Sequence, residues 1–399
     1  MSGNVNAALA TSSLSVEPAQ ARKRRRRFPA GAARAYTMVG ALALLWIIFA
    51  IVTNGIFLEA RNFSNLIRQA AVTGIISVGM VMVIITDQID LSVGSLVGLT
   101  GMAAALVQSY WHWGLVPSLL AAVLIGLMVG GLQGWLTSYV RIPSFIVTLG
   151  GLLVWRGVTK GISRGGTYPI EVPSFRDLGQ AYLGRATGVV LLVIAVAAVI
   201  WSVIHRNSMR KRHGLEEWSP AGILFRIIVP SALAIGFVLA LNSYAGVPVP
   251  VLILIVVALA GAFATENTLF GRYLYAIGGN PEAARFSGIN LRAQVLAAFC
   301  ILGLLTAIAA IIYTARVGSA GPDAGALLEL DAIAACVIGG ASLAGGRGTV
   351  LGACLGALFM VSLDNGMSLK NVPDFVQDII KGGILVTAVG LDVMGKRRE

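Results

Sequence analysis

The sequence predicts an all-α, polytopic membrane protein with about 10–12 spanning or re-entrant helices. Three observations carry that expectation. Of 399 residues, 57% are hydrophobic and only 12% are charged, at a mean hydropathy of +0.83; a soluble domain carries about 25% charged residues. Apolar runs of bilayer length recur along almost the whole chain, and a span needs roughly 20 such residues to cross a core of about 30 Å. The basic residues are gathered between the runs, at Arg22–Arg27, Arg206–His213, 271–292 and Lys396–Arg398, and account for the formal net charge of +12. That is the distribution of a membrane protein with positive cytoplasmic loops. It lacks the interleaved aromatics of a nucleic-acid platform, and no nucleic-acid partner is expected.

Taken in order, residues 1–34 read as a disordered basic cytoplasmic arm, since small polar residues and RKRRRR carry no helical period. A transmembrane domain is expected over 35–399. Its runs fall at 36–56, 66–86, 94–109, 115–139, 143–160, 186–205, 222–243, 247–267, 292–316, 328–346, 348–364 and 374–394. Six runs separate the arm from a basic cytoplasmic loop at 206–221, two separate that loop from a polar segment at 268–291, and four lead to the tail. All three counts are even, which places both termini and both basic segments on one side, the cytoplasm. The runs 94–109 and 328–346 are short and rich in glycine, so each is a candidate for a broken or re-entrant helix. Small residues in Gly126–Gly134, Leu149–Gly157 and Leu351–Phe359 predict close helix packing.

The chain carries no GxxxxGK[ST], HExxH or GxSxG motif. Its three cysteines, Cys300, Cys336 and Cys354, lie inside apolar runs without metal-ligand spacing. No catalysis, metal or cofactor is expected. GGRGTVLG (Gly345–Gly352) lacks the preceding strand and the lysine of a phosphate loop and reads as a tight turn between two helices.

Polar interruptions carry the remaining signal. In TDQIDLSVGS, Asp90 or Ser92 is placed to cap a helix starting near Val93, and the break at Asp90, Ser92, Gly94 and Ser95 is a candidate stretch of polar pathway. Glu329 and Asp331 open a short helix, and Asp364 and Asn365 close a run. Asp331, Asp364 and Asn365 join the candidate pathway. In the segment 271–291, GGN reads as a turn, Pro281 suits a first helical position, and PEAARFSGI has room for a short helix stopped by Gly288. Either it fits a partner's cleft or it is a surface loop.

IDLSVGS, RIPSFIVTLGGL, RYLYAIGGNPEAARFSGIN, LDAIAACVIGGASLAGG and DNGMS…VPDF…IIKGGILV resemble the sugar-uptake ABC transporter permeases of the ribose, arabinose and xylose branch, over about Asn54–Asp392. The resemblance implies the type II ABC importer transmembrane fold. It implies a permease subunit that pairs with a second copy as a homodimer, docks a cytoplasmic ATP-binding subunit and receives sugar from a periplasmic sugar-binding protein, in the lipid bilayer of the bacterial inner membrane. Xylose is the expected sugar, with ribose, arabinose or another monosaccharide as alternatives; the pointers to xylose are the arm and the additional helix pair around 206–245. By the same resemblance Gly278, Gly279, Asn280, Glu282, Ala283, Ala284, Arg285, Ser287, Gly288 and Ile289 form the ATPase-coupling helix. Arg347 and Lys370 depart from the uncharged residues usual in that branch. The alternative from another class is an ion-coupled secondary sugar transporter, which is expected to carry ionisable residues near mid-membrane and internal repeats.

Overall fold

The computed structural model describes residues 30–214 and 216–396. Its helices are α1 (Ala30–Val52), α2 (Ala60–Ile85), α3 (Val93–Trp111), α4 (Leu115–Trp135, extended by a π turn over Leu136–Val140), α5 (Ser144–Ser163), α6 (Pro173–Gln180), α7 (Arg185–Arg212), α8 (Pro220–Asn242), α9 (Val249–Asn267), α10 (Leu269–Gly279), α11 (Pro281–Phe286), α12 (Leu291–Val317), α13 (Leu328–Ile338), α14 (Val350–Leu369) and α15 (Asp374–Lys396). Two short antiparallel pairs complete it: β1 (Tyr168–Pro169) with β4 (Ser319–Ala320), and β2 (Tyr182–Leu183) with β3 (Val247–Pro248).

Among the described residues, nine helices are long and apolar enough to cross a bilayer: α2, α3, α4 with its π turn, α5, α7, α8, α9, α12 and α14. α1 adds a shorter apolar helix over Thr37–Val52. α15 is 23 residues long, but Asp374, Asp378 and Lys381 interrupt its apolar character.

The basic elements depart from the expected boundaries. The proposed arm lies outside the described residues as far as 29, but residues 30–34 already belong to α1. The basic stretch expected as a loop over 206–221 is helical as far as Arg212, because α7 runs 28 residues and places Arg210, Lys211 and Arg212 in its last turn. Basic side chains suit the negative end of a helix dipole, so they extend the helix rather than ending it. The remaining linker is short, and Ser219 caps α8 by accepting from the Gly222 N–H at 3.1 Å.

Both weak runs resolve into identifiable structures. The run at 94–109 is an unbroken 19-residue helix, α3, and the irregular backbone lies before it. From Thr86 the chain turns back along the start of α5, where Ile89 N–H donates to Ser144 Oγ and Thr148 Oγ1 donates to Ile89 O, both at 3.3 Å. The run at 328–346 holds only the 11-residue α13, about 16 Å long and half a bilayer core. The other half of that crossing is non-helical: β4 sits beside β1 near the C-terminus of α3, Ala324 O then accepts from Arg156 Nη1 of α5 at 3.0 Å, and Gly325 lies against Gly94. Beyond α13 the turn over 339–349 reaches the end of α2, where Gly346 N–H donates to Ile85 O at 2.9 Å. The segment 318–349 therefore traverses the molecule. The alternation of helices puts the α7–α8 linker, α10, α11 and the end of α15 at one end of the bundle, in keeping with the even counts of runs.

α2 is the central helix, buried along nearly its whole apolar length by α12, α14 and α9. Bare backbone makes this packing possible. Gly126, Gly130 and Gly134 of α4 meet the α12 backbone at Gly303, Phe299 and Leu296, while Gly352 and Gly356 of α14 meet Gly339 and Ala335. Association inside a bilayer rests on such contacts rather than on water exclusion. The third small-residue stretch behaves differently: Gly150 and Gly157 have open space beside them, and only Gly151 is enclosed, by Gln133 and Trp155. Cys336 is buried with Sγ 3.5 Å from Ser77 O, as expected of a packing residue.

Candidate functional site

At the end that holds α10 and α11, the local structure follows from three capping side chains. Thr268 Oγ1 accepts from Gly271 N–H at 3.4 Å, Asn280 Oδ1 from Ala283 N–H at 2.9 Å, and Asn290 Oδ1 from Ala293 N–H at 3.2 Å, opening α10, α11 and α12 in turn. Each satisfies a donor that the first turn of a helix leaves unpaired. Pro281 occupies a first helical position, and Gly288 (φ +84°) lets the chain leave α11. Gly278 and Gly279 are not part of a turn as expected. They form the last residues of α10, with Asn280 as the joint between the two helices.

α11 presents a sharply divided surface. Ala284 is 4% exposed and faces the bundle, whereas Phe286 is 90% exposed. Glu282, Ala283, Arg285, Ser287 and Gly288 are exposed, and Ile289 is half-buried. Ala284, expected as one of the coupling-helix residues, therefore faces the bundle rather than a partner. Sequence reasoning missed Phe286, although a phenylalanine between Arg285 and Ser287 on a short solvated helix is itself the signal. Gly278 packs against the carbonyl of Ile85 and the N–H of Gly346, and Tyr275 OH donates to Gly348 O at 2.7 Å. Burial, with Glu266 nearby, pushes the Tyr275 phenol above its ordinary value and so keeps that donor protonated. Through these contacts α10 is fixed both to the end of α2 and to the turn after α13. The turn expected over Gly345–Gly352 is shorter than the sequence suggests: it has positive φ at Gly345, Gly346 and Gly348 and ends at Thr349, which caps α14 by accepting from Gly352 N–H.

The seven candidate pathway residues fall in three places. Asp90, Ser92, Gly94 and Ser95 form a closed junction rather than an open lining. Asp90 Oδ1 accepts from both the N–H and the Oγ of Ser92 at 2.7 Å, and Ser95 Oγ donates to Ser92 O at 2.8 Å. Ser92 sits at the N-cap of α3 but its side chain does not cap it; its hydroxyl is committed to Asp90. The Gln133 amide completes the junction when its nitrogen donates to Asp90 Oδ2 and its oxygen accepts from Trp155 Nε1, both at 3.1 Å. Gly94 lies directly against the Glu329 carboxylate and the Gly325 carbonyl, so the starts of α3 and α13 meet here. Buried polar groups require such pairing.

Asp331 and Asp364 belong to a second cluster. Lys381 Nζ of α15 lies 3.3 Å from Asp331 Oδ1 and 2.9 Å from Asp364 Oδ2. Asn365 forms the third, exchanging two hydrogen bonds with Asn62 of α2 at 2.8 and 3.0 Å. Gln133, Trp155, Arg156, Glu329 and Lys381 were absent from the expected site. Arg156 and Lys381 were detectable as charges set within apolar runs; the packing of Gln133 and Trp155 gave no local signal. Among the described residues, no group of three or more His, Cys, Asp or Glu side chains is placed to hold a metal ion.

Residues 62–389 match the family described as branched-chain amino acid transport system / permease component. The chain is 45% identical to the xylose transport system permease protein XylH of Escherichia coli (strain K12) over 91% of its own length and 93% of that protein. The corresponding protein of Haemophilus influenzae is also 45% identical, over 91% of this chain and 97% of the relative. The ribose import permease protein RbsC of E. coli (strain K12) is 34% identical over 89% and 92%. No solved structure matches.

Proposed function

Because the chain belongs to the family of branched-chain amino acid transport system / permease components, we propose that it forms the translocation pathway of an ATP-driven importer of xylose. It is a multi-pass, non-catalytic permease subunit of an ABC sugar importer in the inner membrane, and it works with separate ATP-binding and substrate-binding partners. The observation that carries the choice of sugar is the gap between 45% identity to xylose permeases and 34% to a ribose permease, each over about nine-tenths of the chain.

In this reading the end that carries α10 and α11 faces the cytoplasm, as its share of the basic residues favours. α11 enters a cleft of the ATP-binding subunit with Phe286 as its apolar anchor, and Glu282, Ala283, Arg285, Ser287 and Gly288 surround that anchor. Gly278, Gly279 and Asn280 hold it at a fixed angle, while Ala284 and Ile289 seat it on the bundle. Movement of α11 is passed through Gly278 to the end of α2, which leads into the polar junction, and to the turn after α13, the helix whose start borders that junction. Two copies form a homodimer with the pathway between them. Asp90, Ser92, Gly94 and Ser95 shape the junction that opens and closes, and Asp331, Asp364 and Asn365 hold the helices around it.

The test is ATP hydrolysis by the reconstituted complex across binding proteins loaded with xylose, ribose or arabinose. Stimulation by the xylose-loaded protein alone is expected. Stimulation by a different loaded carrier only would remove xylose and keep the importer, and transport driven by a proton or sodium gradient without ATP would overturn both.

A further inference from the structure

A second feature of the same end lies beside α11. Between the π turn that closes α4 and the start of α12 is an open cavity of about 550 Å³, and its lining includes Arg141, Arg285 and Arg292 and no acidic side chain. The backbone is built to aim these groups. The π turn ends on Arg141 in the left-handed region (φ +68°), its N–H donating to Leu136 O, and Arg292 lies over the Tyr139 ring with 5.9 Å from guanidinium carbon to ring centre. The cavity thus gathers three cationic guanidiniums with no carboxylate among its lining side chains. Their chemistry calls for an anion with several oxygens.

The position of the cavity selects the kind of anion. Arg141 lies in the short turn between the spans Leu115–Val140 and Ser144–Ser163, and Arg292 is the second residue of the span Leu291–Val317. Both sit where a spanning segment meets the headgroup layer. From the cavity an exposed apolar stripe runs up α4 through Trp135, Leu132, Met128, Leu124, Leu120 and Val116, each three or four residues from the next. A soluble acidic partner has no use for that stripe, but an acyl chain does. We propose that this pocket binds the phosphodiester headgroup of an anionic lipid, whose chains lie along the exposed face of α4.

The experiment is native mass spectrometry of the full chain released from nanodiscs of equal phosphatidylglycerol and phosphatidylethanolamine. The unmodified chain is expected to retain phosphatidylglycerol preferentially. Arg141→Gln/Arg292→Gln is expected to retain it roughly thirtyfold more weakly, the loss of two basic groups at an anionic surface, and Arg292→Gln alone should fall between. Arg164→Gln/Arg176→Gln, at the other end of the bundle, should retain it fully. Equal retention by the double variant would overturn the proposal. So would competition by soluble glycerophosphate as effective as that by the lipid, which would make the ligand a free anion. A double variant that keeps its lipid but no longer assembles with the ATP-binding subunit would reassign the pocket to that protein and overturn the lipid reading.

Discussion

Gly278 of α10 lies so close to the carbonyl of Ile85, the last residue of α2, that no side chain fits between them. Gly279, one residue on, has open space beside it. Gly278→Val is therefore expected to reduce sugar uptake to roughly a tenth or less, since overpacking by a branched side chain costs about 1–3 kcal/mol or displaces the helix. Gly279→Ala should leave uptake unchanged. Transport by the two variants, inserted to equal levels, checks the pair; equal transport would show that the Gly278 seat carries no motion.

Phe286 and Ala284 separate docking from folding. Phe286→Asp should weaken assembly with the ATP-binding subunit by more than tenfold, the effect of losing a central apolar anchor, and leave the melting temperature of the isolated permease unchanged. Ala284→Arg should lower that melting temperature, because the side chain is directed into the bundle. Paired binding and thermal measurements check both, and a melting temperature unchanged by Ala284→Arg would refute the orientation given to α11.

Lys381 pairs with two carboxylates at once, Asp331 and Asp364. Lys381→Ala leaves Asp331 and Asp364 facing each other and is expected to destabilise the protein by about 2–3 kcal/mol, below the 3–5 kcal/mol of a fully buried pair because all three groups are partly exposed. Lys381→Met combined with Asp331→Asn and Asp364→Asn should recover most of that loss. Denaturation in a fixed detergent compares them, and no recovery in the triple variant would mean that the charges do not cause the effect.

At the junction of α3 and α13, Gly94→Ala should cost about 1–3 kcal/mol, since the added methyl meets the Glu329 carboxylate and the Gly325 carbonyl. Gly157→Ala, on the open side of α5, should cost nothing measurable. If both variants melt alike, the two breaks do not touch as described.

What the sequence disclosed depended on how locally each feature is determined. Asn280, Pro281 and Gly288 announced α11 because caps act within one turn, and the short glycine-rich run at 328–346 signalled an incomplete helix. The facing of Ala284 and Phe286 was not legible, since α11 is too short for its apolar period to show which side meets the bundle. Arg156 and Lys381 stand out as charges only when the apolar runs are read residue by residue rather than for their average hydropathy. The pairing of the chain around Asp90 with that around Gly325 joins positions more than two hundred residues apart, and no local pattern encodes it.

The central place of α2 also sets an order of events during synthesis. Its partners α9, α12 and α14 end at Asn267, Val317 and Leu369, so the ribosome finishes α2 on the order of 10–50 s before α12 exists, at 5–20 residues per second. Throughout that interval the bare backbone at Gly79, which meets Leu302 of α12 in the finished protein, faces lipid or whatever insertion factor attends the nascent chain. The helix that organises the mature bundle thus waits in the membrane for the elements it organises.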